Sequence, residues 1–140
     1  MKKIFCILML VITVIVKAES KNIYETIETN EDSYKNREKR VLDNLNDTAK
    51  ALKEANSWLI EAKKHKNSHQ QASAYKAIMH LVEKKFRMIY ADSLLIKAKE
   101  SKNDITLGSA YLTVGAAFYD NKEYTKALDN YIITRSALLN

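Results

Sequence analysis

Glycine and proline are scarce in this chain, which has two glycines and no proline in 140 residues. β-Sandwiches and barrels need many turn residues, so this composition argues against an all-β fold. Gly108 and Gly115 alone do not supply the glycine-rich loop that a nucleotide-binding α/β fold requires. Abundant alanine, leucine, lysine and glutamate instead favour helices.

The first 18 residues have the three-part pattern of a secretory signal peptide. Lys2 and Lys3 precede an apolar run over residues 4–16, and Ala18 offers a small residue before a cleavage point. The run is shorter than the roughly 20 residues that a transmembrane helix needs. We therefore expect residues 1–18 to be a signal peptide and the protein to be exported, to the periplasm or the extracytoplasmic face of the membrane. An uncleaved anchor and a buried N-terminal helix are the alternatives.

Removal of this segment changes the chemistry of the rest. The single cysteine, Cys6, would leave, which excludes disulfides, zinc–thiolate sites and a cysteine nucleophile in the processed chain. The net charge would fall from +6 to +3, because 20 basic residues then face 17 acidic ones. Much of the basic excess therefore belongs to the export signal, and we expect no nucleic-acid partner.

The remaining residues divide into a polar leader over 19–33 and a helical repeat domain over 34–140. Asp47-Thr48 and Asn103-Asp104 are typical helix starts. The turn near residues 84–86 has the weakest signal, so that one bent helix over 70–100 is an alternative. The predicted helices cover residues 34–46, 48–65, 69–84, 87–101, 106–120 and 123–139.

Three stretches of the helical part repeat at an offset of 36 residues. Ala55, Ala91 and Ala127 share one column, and Lys66-Asn67 matches Lys102-Asn103. A fixed period in this range is typical of stacked helical repeats. A generic bundle with chance similarity is the alternative. The approximate units are 36–64, 72–100 and 108–139.

The last unit carries the most specific pattern. Tyr111, Val114, Gly115 and Phe118 lie at helical spacing on one face, and Ala127, Leu128 and Tyr131 continue it on the next helix. This pattern resembles the tetratricopeptide repeat, a helix–turn–helix unit. The departures are the 36-residue period in place of 34, the absence of proline, and Thr134 where alanine is usual.

The resemblance implies an all-α fold of antiparallel helix pairs stacked as a short solenoid. Seven residues would be structural repeat positions: Ala55, Ala91, Tyr111, Gly115, Phe118, Ala127 and Tyr131. The first helix of each unit would line a concave groove. The groove-facing residues, candidates for ligand binding, would be Lys76, His80, Glu83, Lys84, Leu112, Ala116, Tyr119 and Asp120. The alternative is that these are merely the solvated side of amphipathic helices.

The expected function is that of a protein- or peptide-binding module, an adaptor or sensor outside the cytoplasm. Two other functions stay open: the N-terminal sensory fragment of a membrane-bound signalling or transcription regulator, and an exported structural helical bundle. The apolar last helix could support a homodimer, and membrane contact would come only through an uncleaved signal or a later C-terminal segment.

No catalytic constellation stands out, so we expect neither an enzyme nor a cofactor. His65 and His69 have the spacing of a helical metal pair, but they flank a turn rich in lysine. We therefore expect no metal site.

Overall fold

The computed structural model describes residues 33–139, together with Lys17 and Glu19. The chain divides into two compact units, Met1–Asn36 and Arg37–Asn140. The predicted signal peptide (1–18) and leader (19–33) lie almost wholly outside the described residues. The exceptions are Lys17 and Glu19, which are exposed and helical, and Ser33, which is helical as well.

Every regular element of the described part is an α-helix. Consecutive helices from α2 to α6 pack against each other, and α3 also contacts α5. This arrangement confirms the predicted all-α fold of stacked helix pairs. No helix among the described residues is long and apolar enough to cross a membrane. The helices are α1 (residues 33–43), α2 (Thr48–Lys64), α3 (Ser68–Leu81), α4 (Lys84–Glu100), α5 (Asp104–Asp120) and α6 (Tyr124–Leu138).

The 36-residue period is visible in the backbone. Lys66 follows α2 and Lys102 follows α4, and both adopt left-handed φ angles, of 52° and 51°. The next residues, Asn67 and Asn103, each cap the following helix by accepting a hydrogen bond from the amide of Gln70 (3.1 Å) or Thr106 (2.8 Å). The two matched sequence pairs therefore form the same turn, and α3 and α5 begin 36 residues apart.

The break between α3 and α4 differs from these turns. It lies at Val82 and Glu83, where Val82 is extended (φ −77°, ψ 156°) and Glu83 makes no side-chain capping bond. The sequence placed the break nearer residues 84–86, but Lys84 already begins α4. No left-handed residue or capping side chain marks the true break, which explains why its position was predicted poorly.

Alanines make up much of the core. Ala55, Ala91 and Ala127, from the three units, are all buried. The main buried cluster joins α3, α4 and α5, and it includes Met79, Leu94 and Val114 beside five alanines. Small side chains let helix axes approach closely, so that each helix pair can pack against the next.

Gly115 lies in the contact between α5 and α6. A Cβ atom at this position would lie 2.6 Å from Cε1 of Tyr131 and 3.2 Å from Cβ of Asn130. These neighbours lie about one turn beyond Ala127, the small residue of the same motif on α6. The glycine is therefore required by the ring of Tyr131.

Candidate ligand-binding face

α3 and α5 present matching stripes of side chains on one face of the array. Within each helix the spacing is four, three and four residues, and the two stripes are offset by 36 residues. Two contacts join the helices here: His69 Nδ1 lies 2.7 Å from Oγ1 of Thr106, beside the α5 stripe, and Lys76 Nζ donates to Ser109 Oγ at 3.0 Å. We call this surface the α3–α5 face; its residues are His69, Ser73, Lys76 and His80 on α3, and Ile105, Ser109, Leu112 and Ala116 on α5.

A first cavity, of about 130 Å³, opens between these stripes. Its polar side chains are a histidine, a lysine and three hydroxyls, and no carboxylate lines it. Leu94, which is fully buried in the core, lines its interior. We call it the His69 cavity; its lining residues are His69, Ala72, Ser73, Lys76, Leu94, Ile105, Thr106, Ser109 and Ala110.

A second cavity, of about 180 Å³, lies on the other side of α3. Val41 and Trp58 are buried in its wall, whereas Leu42 and Leu45 are 57% and 53% exposed. The indole nitrogen of Trp58 donates to Oε1 of Gln70 at 3.1 Å, which fixes the ring. We call it the Trp58 cavity; its lining residues are Glu38, Val41, Leu42, Leu45, Trp58, Ser73, Lys76, Ala77, His80 and Leu81.

Lys76 and Ser73 line both cavities, so a ridge of α3 separates them. Lys76 is half-buried as a residue, and its ammonium donates to the neutral hydroxyl of Ser109. Among the described residues it forms no ion pair with a carboxylate. A partly desolvated cation without an acidic partner attracts an anionic group from outside. Lys76 is therefore the predicted groove residue with the clearest binding geometry.

His80, one turn beyond Lys76, lines the Trp58 cavity. Its side chain keeps contact with water, yet partial burial lowers its pKa below the ordinary 6.5. The positive charges of Lys76 and Arg87 lower this pKa further. The ring is consequently neutral near pH 7 and can donate or accept one hydrogen bond at the cavity mouth.

Three of the predicted groove residues take part in ion pairs. Lys84 Nζ and Arg87 Nη1 both bind the carboxylate of Asp120, at 2.9 and 2.5 Å. Glu83 pairs with Lys85 at 2.9 Å, and both are exposed. The structure thus joins Lys84 to Asp120 across α4 and α5, and neither residue lines the two cavities.

The remaining predicted groove residues are exposed on α5. Leu112 and Ala116 continue its stripe beyond Ser109. Tyr119 is 59% exposed, and its ring packs edge-on against Tyr124 with centroids 5.4 Å apart. These three side chains extend the α3–α5 face away from the cavities.

Sequence reasoning missed part of this face. Ser73 and Ser109 share a 36-residue column and continue the stripes toward the helix starts, a signal that could have identified them. Trp58 is 3% exposed and lines a cavity, and the repeat pattern does not indicate this position. Leu42 and Leu45 precede the well-marked repeats and carried no such signal.

The predicted histidine pair is divided between two helices. His65 ends α2 and His69 lies in the first turn of α3, with the left-handed Lys66 between them. No group of three or more His, Cys, Asp or Glu side chains in the described part gathers closely enough to hold a metal ion. The α3–α5 face offers one ammonium, hydroxyls, imidazoles and apolar surface.

Comparison of the chain with protein-family models, with curated proteins and with solved structures found no match. What the face binds must therefore be inferred from its own residues.

Proposed function

We propose that the protein is a peptide-binding helical-repeat module of the tetratricopeptide type, an adaptor or sensor that acts outside the cytoplasm. The observation that carries the proposal is the pair of cavities on either side of Lys76. An ordinary solvent-exposed helix face is not expected to combine two adjoining cavities with a half-buried cation that has no acidic partner. An extended or helical peptide could place successive side chains into such a surface.

Two structural features support the proposed similarity to tetratricopeptide repeats. The turns at Lys66-Asn67 and Lys102-Asn103 have the same geometry at an interval of 36 residues. Gly115 and Tyr131, both positions of the resembled motif, meet between α5 and α6. Fixed turns and close helix contacts at a constant period are what a stacked repeat requires.

Export is supported by the N-terminal sequence alone. Lys2 and Lys3, the apolar run over 4–16 and Ala18 follow the signal-peptide pattern. The mass of the protein isolated from its own cell, together with its subcellular fraction, tests this part of the proposal. A cytoplasmic protein that retains residues 1–18 would contradict it.

Peptide binding is tested by selecting random peptides, free of tryptophan, against the full-length chain. Trp58 is the sole tryptophan, so its emission reports on the Trp58 cavity directly. We expect selected peptides to bind, and we expect Lys76→Ala combined with Tyr119→Ala to abolish binding. Lys50→Ala, an exposed lysine on α2, is the matched control and should bind normally.

Thermal melts of the same variants separate loss of binding from loss of fold. Tyr119 is exposed, and half-buried Lys76 donates one hydrogen bond to Ser109, so their removal should change the free energy of unfolding by about 1 kcal/mol. If no peptide is enriched over a protein-free control, the proposal of a peptide-binding module is wrong and the alternative of a structural helical bundle is favoured.

A further inference from the structure

We infer that the α3–α5 face recognises a peptide in which one large apolar side chain enters the Trp58 cavity and a neighbouring carboxylate pairs with Lys76 on the side of the His69 cavity. This inference rests on the proposed peptide-binding function and names the class of peptide.

The Trp58 cavity has the size and lining for a single apolar group. Its volume of about 180 Å³ exceeds the roughly 150 Å³ of an apolar cavity that holds benzene. Six of its ten lining residues are apolar: Val41, Leu42, Leu45, Trp58, Ala77 and Leu81. A leucine, methionine or phenylalanine side chain would fill this space.

The exposure of the cavity wall favours an occupant. Leu42 and Leu45 are more than half exposed, whereas Val41 and Trp58 beside them are nearly inaccessible. An incoming apolar side chain would cover the two leucines and extend a wall that is already desolvated. Burial of a leucine-sized side chain is worth about ten-fold or more in affinity.

The charges around Lys76 select the second group. On the Trp58 side, Glu38 is the carboxylate of the lining, but the His69 cavity is lined by Lys76 and His69 without an acid. The hydroxyls of Ser73 and Ser109 can add donors there, whereas the Thr106 hydroxyl already donates to Oδ1 of Asn103 at 3.0 Å. A carboxylate therefore finds an ammonium and hydroxyl donors on the His69 side and is repelled on the Glu38 side.

The shared ridge couples the two groups. Because Ser73 and Lys76 line both cavities, the occupants would be near neighbours along a single chain. Burial lowers the pKa of His80, and the charges of Lys76 and Arg87 lower it further. The surface thus selects an acidic residue close to a large apolar one, and it discriminates against purely basic segments.

The experiment starts from short, end-capped peptides selected without bias on the full-length chain, with Trp58 emission as the readout. We expect the selected peptides to carry aspartate or glutamate near a large apolar residue. Replacing the apolar residue by alanine should weaken binding about ten-fold or more. Replacing the acid by its amide should weaken binding several-fold.

Matched protein variants assign each preference to its cavity. Ala77→Leu fills the Trp58 cavity, and Leu45→Gln makes its exposed wall polar; both should remove the preference for the apolar side chain. Ile60→Gln, at an apolar position of α2 that is also more than half exposed and lies outside both cavities, is the control. Lys76→Met keeps the aliphatic stem, and it should abolish the difference between the acid and amide peptides, which Lys50→Met should preserve.

The outcomes separate this inference from the proposed function. The inference is overturned if the selected peptides bind without either preference. It is also overturned if their affinity is unchanged by both Ala77→Leu and Leu45→Gln in folded protein. Either outcome leaves peptide binding intact. Octanoate binding as tightly as the peptides would indicate a free amphiphile and also overturn it. Failure to enrich any peptide would remove the proposed function and this inference together.

Discussion

Gly115 of α5 lies directly beneath the ring of Tyr131 of α6. A Cβ atom on Gly115 would approach Cε1 and Cδ1 of that ring to 2.6 and 2.8 Å, closer than non-bonded carbons pack. The glycine therefore weakens the helix propensity of α5 in exchange for close contact with α6.

Gly115→Ala should destabilise the protein although alanine is the better helix former. The substitution gains about 1 kcal/mol of helix propensity but must displace Tyr131, and overpacking typically costs about 1–3 kcal/mol. In a Tyr131→Ala background only the 3.2 Å approach to Cβ of Asn130 remains, so the same change should cost much less or stabilise, by at most about 1 kcal/mol. Chemical denaturation of the four proteins in this double-mutant cycle measures the coupling.

Ala116→Gly on the exposed side of the same helix is the control for propensity alone. It should cost about 1 kcal/mol whether or not Tyr131 is present. Equal effects of Gly115→Ala in both backgrounds would contradict a steric role for Tyr131.

Lys66 and Lys122 adopt a left-handed backbone conformation, and replacing either by glycine should raise the stability of the protein. Their φ angles are 52° and 63°, and each follows the end of a helix, α2 or α5. The amides of Asn67 and Glu123, one residue on, bond back to the carbonyls of Ala62 and Phe118, which closes the helix ends. Because a side chain strains this conformation, Lys66→Gly and Lys122→Gly should each stabilise by about 0.5–1 kcal/mol.

The sign of the effect distinguishes this explanation from a general loss of charge. Lys53→Gly, an exposed lysine in the middle of α2, should instead destabilise by about 1 kcal/mol. Urea denaturation at one ionic strength compares the three variants. Destabilisation by all three would show that the left-handed turns carry no strain that glycine relieves.

Local signals explain why so much of the fold could be predicted from the sequence. Asp47 and Asn103 were identified as helix starts, and both cap a helix through their own side chains. Helical spacing of apolar residues located α5 and α6. The break at Val82 was misplaced because it contains no glycine, no capping side chain and no left-handed residue.

The candidate site was less accessible to such reasoning because it depends on packing between distant segments. The Trp58 cavity is formed by three helices and a turn, and its walls include Leu45 and Leu81 from parts of the chain without a shared pattern. Lys76 could be identified from its repeat column, since that column faces the same side in each unit. Asp120 is paired with Lys84 and Arg87 of α4, and no local rule connects these residues.

The ion pairs of Asp120 should contribute unequally to stability. Arg87 is 23% exposed, whereas Lys84 is 68% exposed and more strongly screened by solvent. Arg87→Met should therefore lower the melting temperature more than Lys84→Met does. Thermal melts at low and high salt check this, since the Lys84 contribution should vanish in salt first. Equal melting temperatures for the two variants would contradict the unequal roles.

Asp120 also predicts a pH dependence. The hydrogen bond from Lys84, with the charges of Lys84 and Arg87, holds its pKa below the ordinary 3.8 against the effect of desolvation. The folded state then binds this proton less readily than the unfolded state, so the contribution is fully present above pH 3.8 and is lost as the pH falls through the lower folded pKa. Asp120→Asn should make the free energy of unfolding less dependent on pH in this acid range. Asp92→Asn, at an exposed aspartate of α4, is the control and should leave the dependence unchanged.

His80 predicts a second dependence, at higher pH and of the same sign. Its folded pKa lies below 6.5 because of partial burial and the charges of Lys76 and Arg87. The unfolded chain therefore binds the proton more readily, and stability should decrease as the pH falls below 6.5 toward the folded pKa. His80→Gln should reduce this decrease, and Lys76→Met should reduce it partly by removing one of the opposing charges. Denaturant midpoints of the three proteins, measured from pH 7.5 to 5, test this prediction. If His80→Gln leaves the change of midpoint with pH intact, another group titrates and His80 does not contribute to the electrostatics of the cavity mouth.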